Sequence, residues 1–210
     1  MMNNKAGLAL VLLLTLLVSA CSNYTFKEDM SVELADFNHT SQRGEKVGLE
    51  DLKGKPWLGM YIFTNCNTVC LPMMENMKEV QERFVQKGIE DYAIVGFSVD
   101  PANDSPEVLT EYLRRYEMPD DSKWQLLTGY DQKYIEQYAF KSTKQLVRDD
   151  PNSDQVTHSV TFFLVDETGK MVKNYSGYSE ETDGVPIDLI VEDMGMLIDE
   201  RLTSKEAAAK

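Results

Sequence analysis

Trp57-Leu58-Gly59-Met60-Tyr61-Ile62-Phe63-Thr64-Asn65-Cys66-Asn67-Thr68-Val69-Cys70-Leu71-Pro72 is the stretch that decides how this chain folds. Its first seven residues are an apolar run of the length of a buried strand. From Pro72 to Lys87 the pattern turns helical, with Met73, Met77, Val80 and Phe84 on one stripe and Gly88 as the stop. Two thiols therefore sit where a strand becomes a helix. A helix start is electropositive and favours thiolate. Thiolates bind soft metals and carry out disulfide exchange, and the remaining sequence has to choose between those uses.

Downstream, Tyr92 to Val99 reads as the next buried strand, closed by Asp100-Pro101. Ser105-Pro106-Glu107 has a capping serine and a proline at the first helical position, and predicts a helix to about Tyr116. Trp124 to Thr128 is a third strand, and Asp131 caps a helix to about Phe140. Arg148 to Gln155 reads as a mobile acidic loop. Val160 to Val165 and Met171 to Tyr178 form a hairpin around Asp166-Glu167-Thr168-Gly169, and Pro186 to Leu202 is a closing helix. Upstream, Val32 to Asp36 and Lys46 to Gly48 flank the polar turn Asn38 to Gly44, which predicts an N-terminal β-hairpin. Asp51 to Pro56 is a turn. The order is hairpin, β-α-β-α-β-α, then β-β-α. Right-handed crossovers make the early strands parallel. This predicts an α/β, thioredoxin-like fold: a central mixed sheet flanked by helices, with the cysteines at the fold's usual reactive edge.

The chain has 210 residues and a net charge of −14. Lys5 is the sole charge among the first twenty residues, so the remainder is more acidic still. That balance argues against nucleic acid and anionic lipid as partners. Residues 1–20 read as a lipoprotein signal peptide: Lys5, then the apolar run Leu8 to Val18, then Val18-Ser19-Ala20-Cys21. The run is too short to be a comfortable membrane span. Small residues before Cys21 predict lipidation of that cysteine, hence a bacterial membrane protein with its domain on the extracytoplasmic face. Residues 21–30 then form a tether, 31–203 the folded domain and 204–210 a C-terminal tail that reads as a solvated helical end.

Of three cysteines, Cys21 is thereby accounted for, which leaves Cys66 and Cys70. A disulfide closing so short a loop removes little chain entropy, so the pair is read as chemical rather than structural. Only two histidines are present. His158 precedes the strand expected to run antiparallel to the cysteine strand, so it should lie at the same sheet edge. Two thiolates and an imidazole form a soft ligand set suited to copper. His39 falls in the polar hairpin and is read as having no role at the site. Asp100 ends the second strand at that edge, where it could orient His158 or make a local turn with Pro101. Met73, Met74 and Met77 are read as core. Thioredoxin-type oxidoreductases carry a cis-proline just before the equivalent strand. Val156-Thr157-His158-Ser159-Val160 has none, which weighs against a general disulfide enzyme.

Phe63-Thr64-Asn65-Cys66 through Cys70, with Ser98-Val99-Asp100-Pro101, Asp104-Ser105-Pro106 and His158, resembles the Sco/SenC family. The resemblance covers essentially the whole mature domain. It implies a membrane-anchored, thioredoxin-like metallochaperone that assists maturation of the binuclear copper centre of cytochrome c oxidase, with subunit II of the oxidase as partner. It implies Cys66, Cys70 and His158 as ligands of Cu(I) or Cu(II), and Asp100 at the family's acidic position. Many members have proline after each cysteine, whereas this chain has Asn67 and Leu71. Such a chaperone is not an enzyme in the turnover sense. The alternative is a thiol-disulfide reductase that keeps the oxidase's copper-ligating cysteines reduced, using the dithiol of Cys66 and Cys70, with Cys66 attacking. A third reading is a peroxidase-like or redox-signalling thiol protein.

Overall fold

In the computed structural model, which describes residues 26–208 apart from 151, 182 and 183, Trp57–Ile62 is a strand and every residue of it is buried. The leader, Cys21 and the start of the tether lie outside the described residues. One sheet has eight strands. In chain order they are β1 (Val32–Glu33), β2 (Asn38–Ser41), β3 (Lys46–Gly48), β4 (Trp57–Ile62), β5 (Ala93–Ser98) and β6 (Trp124–Thr128), then β9 (Thr161–Val165) and β10 (Lys170–Ser176). Between them β7 (Val147–Asp149) and β8 (Val156–His158) form a separate two-stranded ribbon. The sheet order is β1-β10-β9-β4-β5-β6-β2-β3. β4, β5 and β6 are parallel, as right-handed crossovers require, and β9 lies antiparallel to β4 with Gly59 opposite Phe163.

Alternation along β4 builds a core on each face of the sheet. Leu58, Met60 and Ile62 point to one side and Trp57 and Tyr61 to the other. The first side is covered by helices α2 (Cys70–Gln86), α3 (Pro106–Arg115) and α5 (Ile187–Ala208). The second is covered by α4 (Gln132–Tyr138), with the short α1 (Leu49–Leu52) beside it. Gly59 is required in the middle of β4, because a Cβ there would come within 2.1 Å of the Phe163 ring.

The caps act as the sequence predicts. Ser105 accepts a hydrogen bond from the Val108 amide at 3.4 Å, and Asp131 from the Tyr134 amide at 2.7 Å. Gly88, at φ +68°, ends α2 while the Ile89 amide bonds back to Phe84.

Two expectations are corrected. The N-terminal hairpin is made by β2 and β3, so Asn38–Ser41 is strand rather than turn; Val32–Glu33 instead joins the opposite edge beside β10. The acidic stretch after Leu146 is not wholly loop, because its ends pair as β7 and β8 around a short connection. The last helix runs to Ala208, past Leu202 and into the residues read as a solvated helical end. From residue 26 the expected tether is docked: Phe26 packs on the core, and the Asp29 and Met30 amides both bond to the Val172 carbonyl. Among the described residues no helix is long and apolar enough to cross a membrane.

Candidate metal centre

β4 delivers the cysteine loop to the edge of the sheet, and α2 begins on the second thiol. Cys70 is its first residue and is 1% exposed, whereas Cys66 is half-buried one turn earlier. The Cys70 amide, one of the unpartnered N–H groups of the helix start, donates to the Cys66 sulfur at 3.4 Å. The helix start thus turns toward a thiolate at Cys66. No disulfide joins the pair.

β8 and β9 bring the imidazole to the same edge. His158 Nε2 lies 3.2 Å from the Cys70 sulfur, and the ring meets Phe63 edge-on at 5.9 Å. The other ring nitrogen, Nδ1, is 3.0 Å from the Ser159 carbonyl. A carbonyl only accepts, so Nδ1 carries the proton and Nε2 presents its lone pair to the thiols. The two sulfurs and a ring nitrogen lie within 4.8 Å of one another. That is a three-donor set of two soft sulfurs and one imidazole, with an outer hydrogen bond already fixing the tautomer.

The thiols are electronically unequal. Hydrogen bonding from Cys70 draws the Cys66 thiol down to about 3, although burial opposes the shift. Cys70 is pushed up by its hydrogen bond to Cys66 and then by burial. The pair holds one proton in common, kept on the buried partner.

Asp100 is at the expected edge, but its carboxylate is taken up by Asn103, whose Nδ2 donates at 2.9 and 3.0 Å. The Ser159 carbonyl occupies the place beside His158 that an orienting carboxylate would take. Sequence reasoning gave no role to Asp104. It is fully buried and accepts from Thr64 Oγ1 and Ser98 Oγ, both at 2.6 Å, so it fastens the chain two residues before Cys66 to the end of β5. Burial pushes its carboxyl upward. The available signal was an acidic residue four places after Asp100 in the same tight connection. Met73, Met74 and Met77 are buried in the core, as expected. His39 lies away from the thiols, between Tyr130 and Tyr134 at 4.6 Å from each ring. Cys21 lies outside the described residues.

A thioredoxin-like sheet whose reactive edge carries a dithiol and an imidazole, with no cis peptide bond among the described residues, defines a soft-metal or redox thiol protein. More narrowly, the chain belongs to the SCO1/SenC family, whose model matches residues 27–186. A SCO1 protein homolog of Bacillus subtilis (strain 168) is 39% identical over 182 residues, which is 87% of this chain and 91% of that one. A solved SCO1/SenC family lipoprotein from Bacillus anthracis str. Ames is similar with a TM-score of 0.75 and 37% identity, over 82% of this chain and 99% of that one. BsSco, described as a Sco family cytochrome c oxidase assembly protein with a disulfide switch, has a TM-score of 0.73 and 38% identity over 83% and 98%. Bradyrhizobium japonicum ScoI, solved with copper bound, has a TM-score of 0.63 and 25% identity over 78% and 98%.

Proposed function

We propose that this protein is a copper-binding assembly factor for cytochrome c oxidase, anchored to the bacterial membrane through a lipid on Cys21. Cys66, Cys70 and His158 hold copper as cargo and pass it by ligand exchange to subunit II of the oxidase, on the extracytoplasmic face. The observation that carries this reading is the convergence of two sulfurs and an imidazole nitrogen within 4.8 Å. Support comes from the relatives described as oxidase assembly proteins and as copper-bound. The Bacillus anthracis relative described as a lipoprotein supports the anchor.

Titration of the reduced soluble domain with copper tests it. One equivalent should bind, and the Cu(II) form should show thiolate-to-copper absorption and nitrogen hyperfine structure. His158→Ala should lose that nitrogen signature and weaken binding by more than the ~10–100-fold typical of losing an outer partner. Oxidation of Cys66 and Cys70 to a disulfide should abolish binding, because the metal needs both thiolates. Equal uptake by the oxidised and reduced forms would place the ligands elsewhere.

A second reading, thiol-disulfide reduction of the oxidase's cysteines, is favoured by the half-exposed, acidified Cys66. His158→Ala separates the two. A reductase keeps its dithiol and its cellular role in that variant, whereas a copper carrier loses both affinity and oxidase maturation.

A further inference from the structure

The three candidate ligands come from two separate pieces of structure. Cys66 and Cys70 sit on the loop between β4 and α2, which belong to the main sheet and its covering helix. His158 ends β8 in the independent ribbon, paired with Val147 of β7. The ribbon is held from its far side: Val147 and Val156 are buried, and the Asp149 amide donates to Glu136 of α4 at 3.0 Å. On its near side a cleft of about 310 Å³ opens between ribbon and loop, lined by Cys66, Val69, Asp150, Gln155, His158 and Val160. Across that gap the His158 ring meets Phe63 edge-on at 5.9 Å, and Val147 and Val156 share an apolar cluster with Phe63 and Cys70.

Hydrogen bonds from one residue cross it. Asn65 Nδ2 donates to Asp154 Oδ2 at 2.9 Å, and Gln155 Nε2 donates to the Asn65 carbonyl at 3.0 Å. Among the described residues these are the hydrogen bonds that join loop to ribbon outside the ligand set itself. Asn65 is covalently next to Cys66, while Asp154 and Gln155 lie four and three residues before His158. We infer that Asn65 is a positioning residue for the metal centre: with Asp154 and Gln155 it forms a latch that holds the imidazole on the dithiol and so sets how long copper is retained. This rests on the copper reading above. With the latch closed, copper keeps three donors. When it opens, the ribbon tip swings away, His158 leaves, and a two-sulfur complex remains from which an incoming thiolate can take the metal. All the bonds involved are solvent-exposed, so a docking partner can break them without disturbing the core.

The test is the rate of copper loss from the reduced protein to an excess of a chromophoric Cu(I) chelator. Asn65→Ala and Gln155→Ala should each release copper roughly fivefold faster, the factor that one exposed hydrogen bond supplies. In the His158→Ala background the same substitutions should change nothing, because there is no imidazole left to position. A metal-free readout runs alongside. Amide exchange at Thr157 and His158 should accelerate in Asn65→Ala while Phe162 and Phe163 of β9 and the thermal midpoint stay as in the wild type. Unchanged release and unchanged exchange in Asn65→Ala would overturn the latch. So would an equal acceleration of release with and without His158. Failure of the wild type to take up copper would overturn the copper reading instead, and the exchange comparison would still decide whether the latch exists.

Discussion

Cys66 and Cys70 are four residues apart and chemically unlike, because one is half-buried and the other is 1% exposed at the first turn of α2. Cys66 gathers hydrogen bonds that favour thiolate; Cys70 holds the proton. At neutral pH, iodoacetamide should therefore label Cys66 of the reduced, metal-free protein first. The labelling should persist well below the pKa of a free thiol, about 8.5, where an ordinary thiol loses its thiolate fraction. Mass spectrometry of the digested protein reads this directly, and labelling that begins at Cys70 would refute the assignment. The same residue scale shows what the sequence could and could not carry. The meeting of Cys66, Cys70 and His158 at one sheet edge was legible because strand direction is a property of element order. The division of labour between Asp100 and Asp104 was not. It depends on which carboxylate turns inward over a short aperiodic connection, where Asp104 reaches Thr64 and Ser98 and Asp100 reaches Asn103. Neither periodicity nor composition records that turn.

Among the elements, the long ones were readable and the short ones were not. β4, β5 and α2 bury whole faces, and hydrophobic period reports burial. β7 and β8 have three residues each, too few for a period, and the Asp150 to Asp154 connection between them carries the stronger turn signal. The β2–β3 hairpin was displaced for a related reason. Asn38-His39-Thr40-Ser41 is polar, yet it pairs with both β3 and β6, and there His39 lies against Tyr130 and Tyr134. That placement gives the hairpin a pH dependence. Burial, then the nearby Lys46 charge, lowers His39 to about 4 from its ordinary 6.5. The unfolded chain therefore takes up a proton as the pH falls through 6.5, while the folded hairpin takes it up only near 4. Between those values the unfolded state binds more protons, so stability falls as the pH falls. Denaturant unfolding of the domain from pH 7 to pH 5 should show a decline that His39→Phe, which keeps the ring packing, largely removes. Parallel declines in the two proteins would exclude His39 as the source.

At the scale of the whole molecule, the edge of the sheet where the N-terminal segment arrives is fastened to the last helix. Lys173 of β10 and Asp193 of α5 form a buried pair at 2.8 Å, Tyr175 donates to the same carboxylate, and the Lys173 ammonium lies 5.2 Å from the Phe26 ring. The folded domain thus begins by Phe26, five residues after the cysteine proposed to carry lipid. Five residues reach at most about 18 Å, so a lipid at Cys21 would hold the domain close against the bilayer. There are 35 acidic residues against 21 basic ones, and anionic headgroups repel such a surface. Among the described residues there is no membrane-crossing helix. Acyl chains on the proposed Cys21 site would contribute ~0.8 kcal/mol of attachment per buried methylene. Cys21→Ala should therefore either leave the leader uncleaved or release a processed protein from the membrane fraction, while purified domain beginning at Phe26 still folds and binds copper normally. Fractionation and intact-mass analysis of cells making the variant decide the matter: a fully processed Cys21→Ala product that stays on the membrane in wild-type amount would exclude the lipid as the anchor.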